Sequence, residues 1–77
     1  MVDAISNAKV GEEINIDATR FDTVEFSYRE QLGYSWTARI RNDWHYMRPT
    51  SGNLVKFFKT LAGAKRNFIK RISEQGG

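Results

Sequence analysis

TVEFSYREQLGYSWTARIR, residues 23–41, holds two runs in which apolar and polar side chains alternate. Val24, Phe26 and Tyr28 alternate with Glu25, Ser27 and Arg29, and Trp36, Ala38 and Ile40 with Thr37, Arg39 and Arg41. A period of two puts each set on one side of a pleated strand, and β-branched and aromatic residues suit that surface. Between the runs lies EQLGY, a loop of five residues in which Gly33 can take a positive φ. Setting Arg29 opposite Ser35 brings Tyr28 against Trp36, Phe26 against Ala38 and Val24 against Ile40 on one face. On the other face Glu25 meets Arg39, a favourable cross-strand pair. The stretch is expected to be an antiparallel hairpin, and the remaining elements are arranged around it.

Upstream, Ile14 and Ile16 open another alternation, and the neighbouring Glu12, Glu13 and Asp17 suit an edge strand. Residues 1–11 lack periodicity and are expected to form a loose arm or a short helix. Downstream, WHYMR (44–48) follows Asn42 and Asp43, which tolerate turn conformations, and Pro49 ends it because proline cannot donate to a ladder. SGNLVKFFKTLAGAKRNFIKRISEQ, residues 51–75, carries Leu54, Phe57, Phe58, Leu61, Ala64, Phe68, Ile69 and Ile72 at helical spacing. Ser51 or Asn53 would cap this helix, and Gly63 within it marks a bend or a close approach to the sheet. The expected fold is one α+β domain spanning 1–77. A three- to four-stranded antiparallel meander covers 12–49, and one C-terminal amphipathic helix, 51–75, packs across one face.

Composition narrows the function classes. The 77 residues are 40% hydrophobic and 13% aromatic, too rich in core formers for a disordered tail. There is no cysteine, hence no disulfide framework and no thiolate metal site. No apolar run approaches the length of a membrane span, and acids occupy the N-terminal stretch where a signal peptide needs basic and then apolar residues. A cytoplasmic protein without membrane partners is expected. Charge is uneven: residues 1–49 hold six basic and eight acidic groups, net −2, whereas 50–77 hold six basic groups against Glu74 alone, net +5.

Catalysis has little to build on. His45 is the sole histidine, and a lone histidine among strand aromatics is ordinarily a packing or hydrogen-bonding residue. The seven acids from Glu12 to Asp43 show no spacing of a carboxylate dyad or calcium loop, and GAK around Gly63 is not a phosphate loop. No cofactor is implied.

Binding has more. On a helix over 51–75, Lys56, Lys59, Arg66 and Lys70 would fall within about 80° of one another, opposite the apolar stripe. Phosphates need positive charge in a row, although lysines on a solvated helix face are ordinary. Lys65 falls near the apolar side, where its stem snorkels along the core edge. The second basic surface is the outer face of the sheet, with Arg29, Thr37, Arg39 and Arg41. If Asn42 and Asp43 form a two-residue turn, Arg41 pairs with Trp44 and Arg39 with Tyr46. Trp44, Tyr46 and Arg48 then join that face as a stacking platform for unpaired bases. A three-residue turn instead sends both aromatics into the core and exposes His45 and Met47.

Tyr28–Arg29 and WTARIR at Trp36–Arg41 resemble the strand residues of AP2/ERF-type DNA-binding domains, and integrase arm-binding domains use a similar layout of three strands and a helix. The likeness spans 14 of the 77 residues and lacks the glycine after YR. It implies DNA contacts from Arg29, Trp36, Arg39 and Arg41, and so an outward Trp36, where the alternation puts Trp36 inside.

The chain is therefore expected to be a non-enzymatic nucleic-acid-binding protein, for DNA or RNA. The sheet face would be its primary surface and Lys56, Lys59, Arg66 and Lys70 its support. The alternative is a protein-interaction module, an adaptor, inhibitor or subunit of a larger partner or a homodimer, for which ten aromatics are an ample supply.

Overall fold

In the computed structural model, residues 2–16, 20–42 and 45–74 are described. The alternating runs form β2 (Phe21–Arg29) and β3 (Gly33–Ile40), paired antiparallel. With β1 (Glu13–Asn15) on one side and β4 (Tyr46–Met47) on the other, they make a four-stranded antiparallel sheet in the order β1-β2-β3-β4. A C-terminal helix, α2 (Leu61–Glu74), packs against it, so the α+β meander with one helix across one face is the observed fold.

Phe68 of α2 is the centre of the packing. Its ring lies 4.8 Å from that of Trp36, 5.8 Å from Phe21 and 6.2 Å from Phe26, centroid to centroid, and all four residues are fully buried. Val24, Ala38, Ala64 and Ile72 complete the cluster around them. Burying each aromatic side chain contributes roughly 1.5–3 kcal/mol, a large share for a chain this small. Trp36 Nε1–H donates to Asn67 Oδ1 at 2.9 Å, satisfying the one polar atom that the indole takes into the core. Trp36 therefore faces inward, and the outward position implied by the AP2/ERF likeness does not hold.

The hairpin register differs from the expected one by two residues. Arg29 pairs with Gly33, Tyr28 with Tyr34, Phe26 with Trp36 and Val24 with Ala38, around a loop of three residues rather than five. Leu32 N–H donates to the Arg29 carbonyl, and Gly33 at φ +111° turns the chain into β3. A shift of two preserves the faces, so the same side chains are buried. It changes the partners: Glu25 faces Thr37 and Arg39 faces Thr23, and the expected Glu25–Arg39 pair does not form. Between Phe21 and Thr23 the register slips. The extra residue reverses the pleat and sends Phe21 to the same side as Val24.

The largest correction concerns residues 51–60, which are not helical. Thr50–Ser51 (β5) and Leu54–Val55 (β6) form a small hairpin across Gly52-Asn53. Gly52 has φ +65° and Asn53 a negative φ, the pattern of a type II′ turn, which matches the twist of its strands. Lys56 N–H donates to the Pro49 carbonyl, closing the excursion at the buried Pro49. Phe58 then pairs with Tyr34, each amide donating to the other's carbonyl. The cap of α2 is Thr60, whose hydroxyl accepts from Gly63 N–H at 3.0 Å, not Ser51 or Asn53. Gly63 thus sits in the first turn.

At the N-terminus, α1 (Val2–Ser6) buries Ile5 and, just beyond it, Ala8. Lys65 Nζ donates to the Ser6 carbonyl at 2.8 Å, tying α1 to α2. Among the described residues no helix is long and apolar enough to cross a membrane.

Candidate functional site

The face of the sheet opposite α2 carries Glu25, Ser27 and Arg29 from β2 and Ser35, Thr37 and Arg39 from β3, the residues that alternate with the buried set. The pairing of β4 decides what joins them. Arg39 is opposite Tyr46 and Ala38 opposite Met47, and Ile40 N–H donates to the His45 carbonyl. This is the parity of a two-residue turn, and Asn42 at φ +59° takes the left-handed conformation such a turn requires. Tyr46 therefore stands on the arginine face and is 56% exposed, while Met47 turns toward the core and is half-buried. Trp44, expected beside Arg41, lies outside the described residues.

The outer face is divided by charge. On the β1–β2 side Glu13 pairs directly with Glu25, two exposed carboxylates opposite each other, which is unfavourable for folding. On the β3–β4 side stand Arg39, Tyr46 and Arg48, all exposed. Among the described residues no carboxylate lies within ion-pair distance of Arg29, Arg39 or Arg48. Arg41 differs: its Nε is 3.7 Å from Asp22 Oδ1, a half-exposed pair that ties the end of β3 to the β2 bulge.

At the other end of the face the 49–57 excursion folds over the sheet. Ser35 Oγ donates to the Lys56 carbonyl at 3.0 Å, and this cover explains why Ser35, a polar residue on the outer face, is only 3% exposed. A groove of about 420 Å³ opens beneath the hairpin. Arg29 and Arg48 supply its charge, Ser27, Ser35 and Thr37 its hydroxyls, and Leu32, Val55 and Phe57 its apolar side. Among the described residues no acidic side chain lines it. Leu32, Val55 and Phe57 belong to the site although none stood out in the sequence as a binding residue, because the groove exists only once 49–57 folds back over β3.

The expected helical row of cations is broken up. Only Arg66 and Lys70 lie on α2, one turn apart and exposed. Lys56 follows β6, with its Nζ 5.4 Å from the centre of the Phe58 ring, a cation–π contact. Lys59 is exposed ahead of the helix. The four do not form one face, since the segment bearing Lys56 and Lys59 is not helical. His45 is exposed, and among the described residues no three His, Asp or Glu side chains gather as a metal-binding group. Comparison of the chain with protein-family models, with curated proteins and with solved structures gave no match.

Proposed function

We propose that this chain is a small, non-enzymatic protein that binds single-stranded nucleic acid on the β3–β4 half of its outer sheet face. The observation that carries the reading is the register pair Arg39–Tyr46, an exposed aromatic ring beside an arginine with no carboxylate partner among the described residues. A base has a π-face whatever its identity, so an exposed tyrosine offers a stacking surface, and that surface requires the base to be unpaired. Arg39, with Arg29 and Arg48 toward the groove, supplies the phosphate contacts, and arginine's planar fork suits phosphate oxygens better than lysine's ammonium does. The Glu13–Glu25 pair would repel a strand on the β1–β2 side and so confine it to the basic half. Arg66 and Lys70, on the helix side of the domain, contribute only long-range attraction.

Fluorescence anisotropy with a labelled single-stranded oligonucleotide over a salt series tests this. Tyr46→Ala is expected to weaken binding by about tenfold or more, the range of one lost base–aromatic stack, and to leave the salt dependence unchanged. Arg39→Ala should weaken binding and lower the slope of log K against log salt by about 0.7, one phosphate contact on a single strand. The double substitution Arg66→Ala with Lys70→Ala should have the smaller effect. Equal losses from both surfaces, or none from Tyr46→Ala, would contradict the assignment.

The protein-interaction reading has one specific observation in its favour: Leu54 and Leu32 are 74% and 57% exposed at the tips of the two hairpins. A partner held by those residues would bind with little dependence on salt, which separates the two readings.

A further inference from the structure

The groove beneath the β5–β6 hairpin has a chemistry of its own. Its volume of about 420 Å³ falls in the range of small-ligand sites. Its polar and apolar linings come from different segments: hydroxyls from β2 and β3, one arginine from the end of β2 and one from just after β4, and Val55 and Phe57 from the excursion itself. A ligand filling it would join an anionic group to an apolar, planar one. Arg29 and Arg48 together supply two positive charges, with no carboxylate among the described residues of the lining. A carboxylate or a phosphodiester, each carrying one negative charge, would balance only one of them. A phosphate monoester, with a charge of about −1.5 to −2 at pH 7, balances both. Ser35 already donates its proton to the Lys56 carbonyl, whereas the Ser27 and Thr37 hydroxyls can turn to donate to phosphate oxygens.

We propose that this groove binds a phosphate monoester carried on a planar group, of the kind found in a nucleoside monophosphate or at the 5′-phosphorylated end of a strand. Arg29 and Arg48 clamp the phosphate, and Phe57 with Val55 contacts the planar part. The strand-end source rests on the nucleic-acid reading of the adjoining face; the phosphate-monoester chemistry does not.

Isothermal titration of the full chain with adenosine monophosphate, adenosine and inorganic phosphate tests the site. The monophosphate is expected to bind about tenfold or more tightly than either part alone. Arg29→Ala and Arg48→Ala should each remove about a factor of ten, and circular dichroism should show the fold intact, since both side chains are exposed. Phe57→Ala should weaken the monophosphate and leave inorganic phosphate unchanged. Absence of monophosphate binding, or binding unaltered in both arginine variants, overturns the proposal. Binding no tighter than that of inorganic phosphate overturns the role of Val55 and Phe57. Oligonucleotides with and without a 5′-phosphate then separate the sources, a preference for the phosphorylated end supporting the strand and equal affinity supporting the free nucleotide. Oligonucleotide binding without monophosphate binding would remove the groove site alone, and the reverse would remove the sheet-face reading alone.

Discussion

Phe68→Ala is expected to lose about 3–5 kcal/mol of stability. The total for a chain of 77 residues is only about 4–12 kcal/mol at 0.05–0.15 kcal/mol per residue, so the substitution removes from about a quarter to all of it. Phe68 of α2 has a ring that meets those of Phe21, Phe26 and Trp36 together, joining the helix to the sheet. Truncation leaves a cavity between two elements that cannot close without moving the helix, and it forfeits three aromatic pairs. Urea denaturation followed by far-UV circular dichroism measures the loss. Phe57→Ala is the control: Phe57 is half-buried beside the groove and should cost clearly less. A loss below about 1 kcal/mol for Phe68→Ala would mean that α2 is not held by this cluster.

Gly33→Ala is expected to cost about 2–4 kcal/mol and to loosen the 49–58 excursion. Two effects coincide at this position. Its φ of +111° is a conformation that side chains rarely adopt, and a Cβ there would collide with the backbone carbonyl of Phe58. That carbonyl accepts from Tyr34 N–H, so relieving the collision breaks the pair that joins Phe58 to β3. Gly52→Ala separates the two effects. Gly52 also has a positive φ, +65°, but a Cβ there meets nothing within 4 Å, so it should cost only about 1–2 kcal/mol. Equal losses at the two glycines, in the same denaturation assay, would show that backbone conformation alone is at stake and that Phe58 gives way freely.

The sheet was legible in the sequence because pleat parity tolerates a register error of two. Val24, Phe26, Trp36 and Ala38 face the core in either pairing. The register itself depended on loop length, and the decisive residue, Gly33, begins β3 rather than sitting within the loop. The bulge that turns Phe21 inward left no mark on the alternation, which reads cleanly only from Thr23 onward. Residues 51–60 misled for a physical reason. Leu54, Phe57, Phe58 and Leu61 fit helical spacing, but Leu54 is 74% exposed and Phe57 and Phe58 serve opposite sides of an extended segment. The competing signal was Ser51-Gly52-Asn53-Leu54, a two-residue turn sequence between residues that pair across it. The arginine face was legible from β3, but the parity of β4 was not, since the sequence fits a two- or a three-residue turn and only the Arg39–Tyr46 pairing decides between them. The groove was not legible, since its two walls come from segments that meet only after the excursion has folded.

The most direct measurement is a backbone amide chemical-shift map of the full chain titrated with a short single-stranded oligonucleotide at low salt. Binding on the outer sheet face predicts shifts centred on Thr37, Arg39, Tyr46 and Arg48, fading toward Glu13 and leaving Arg66 and Lys70 largely unmoved. Shifts centred on α2, or no shifts at low salt, would contradict it.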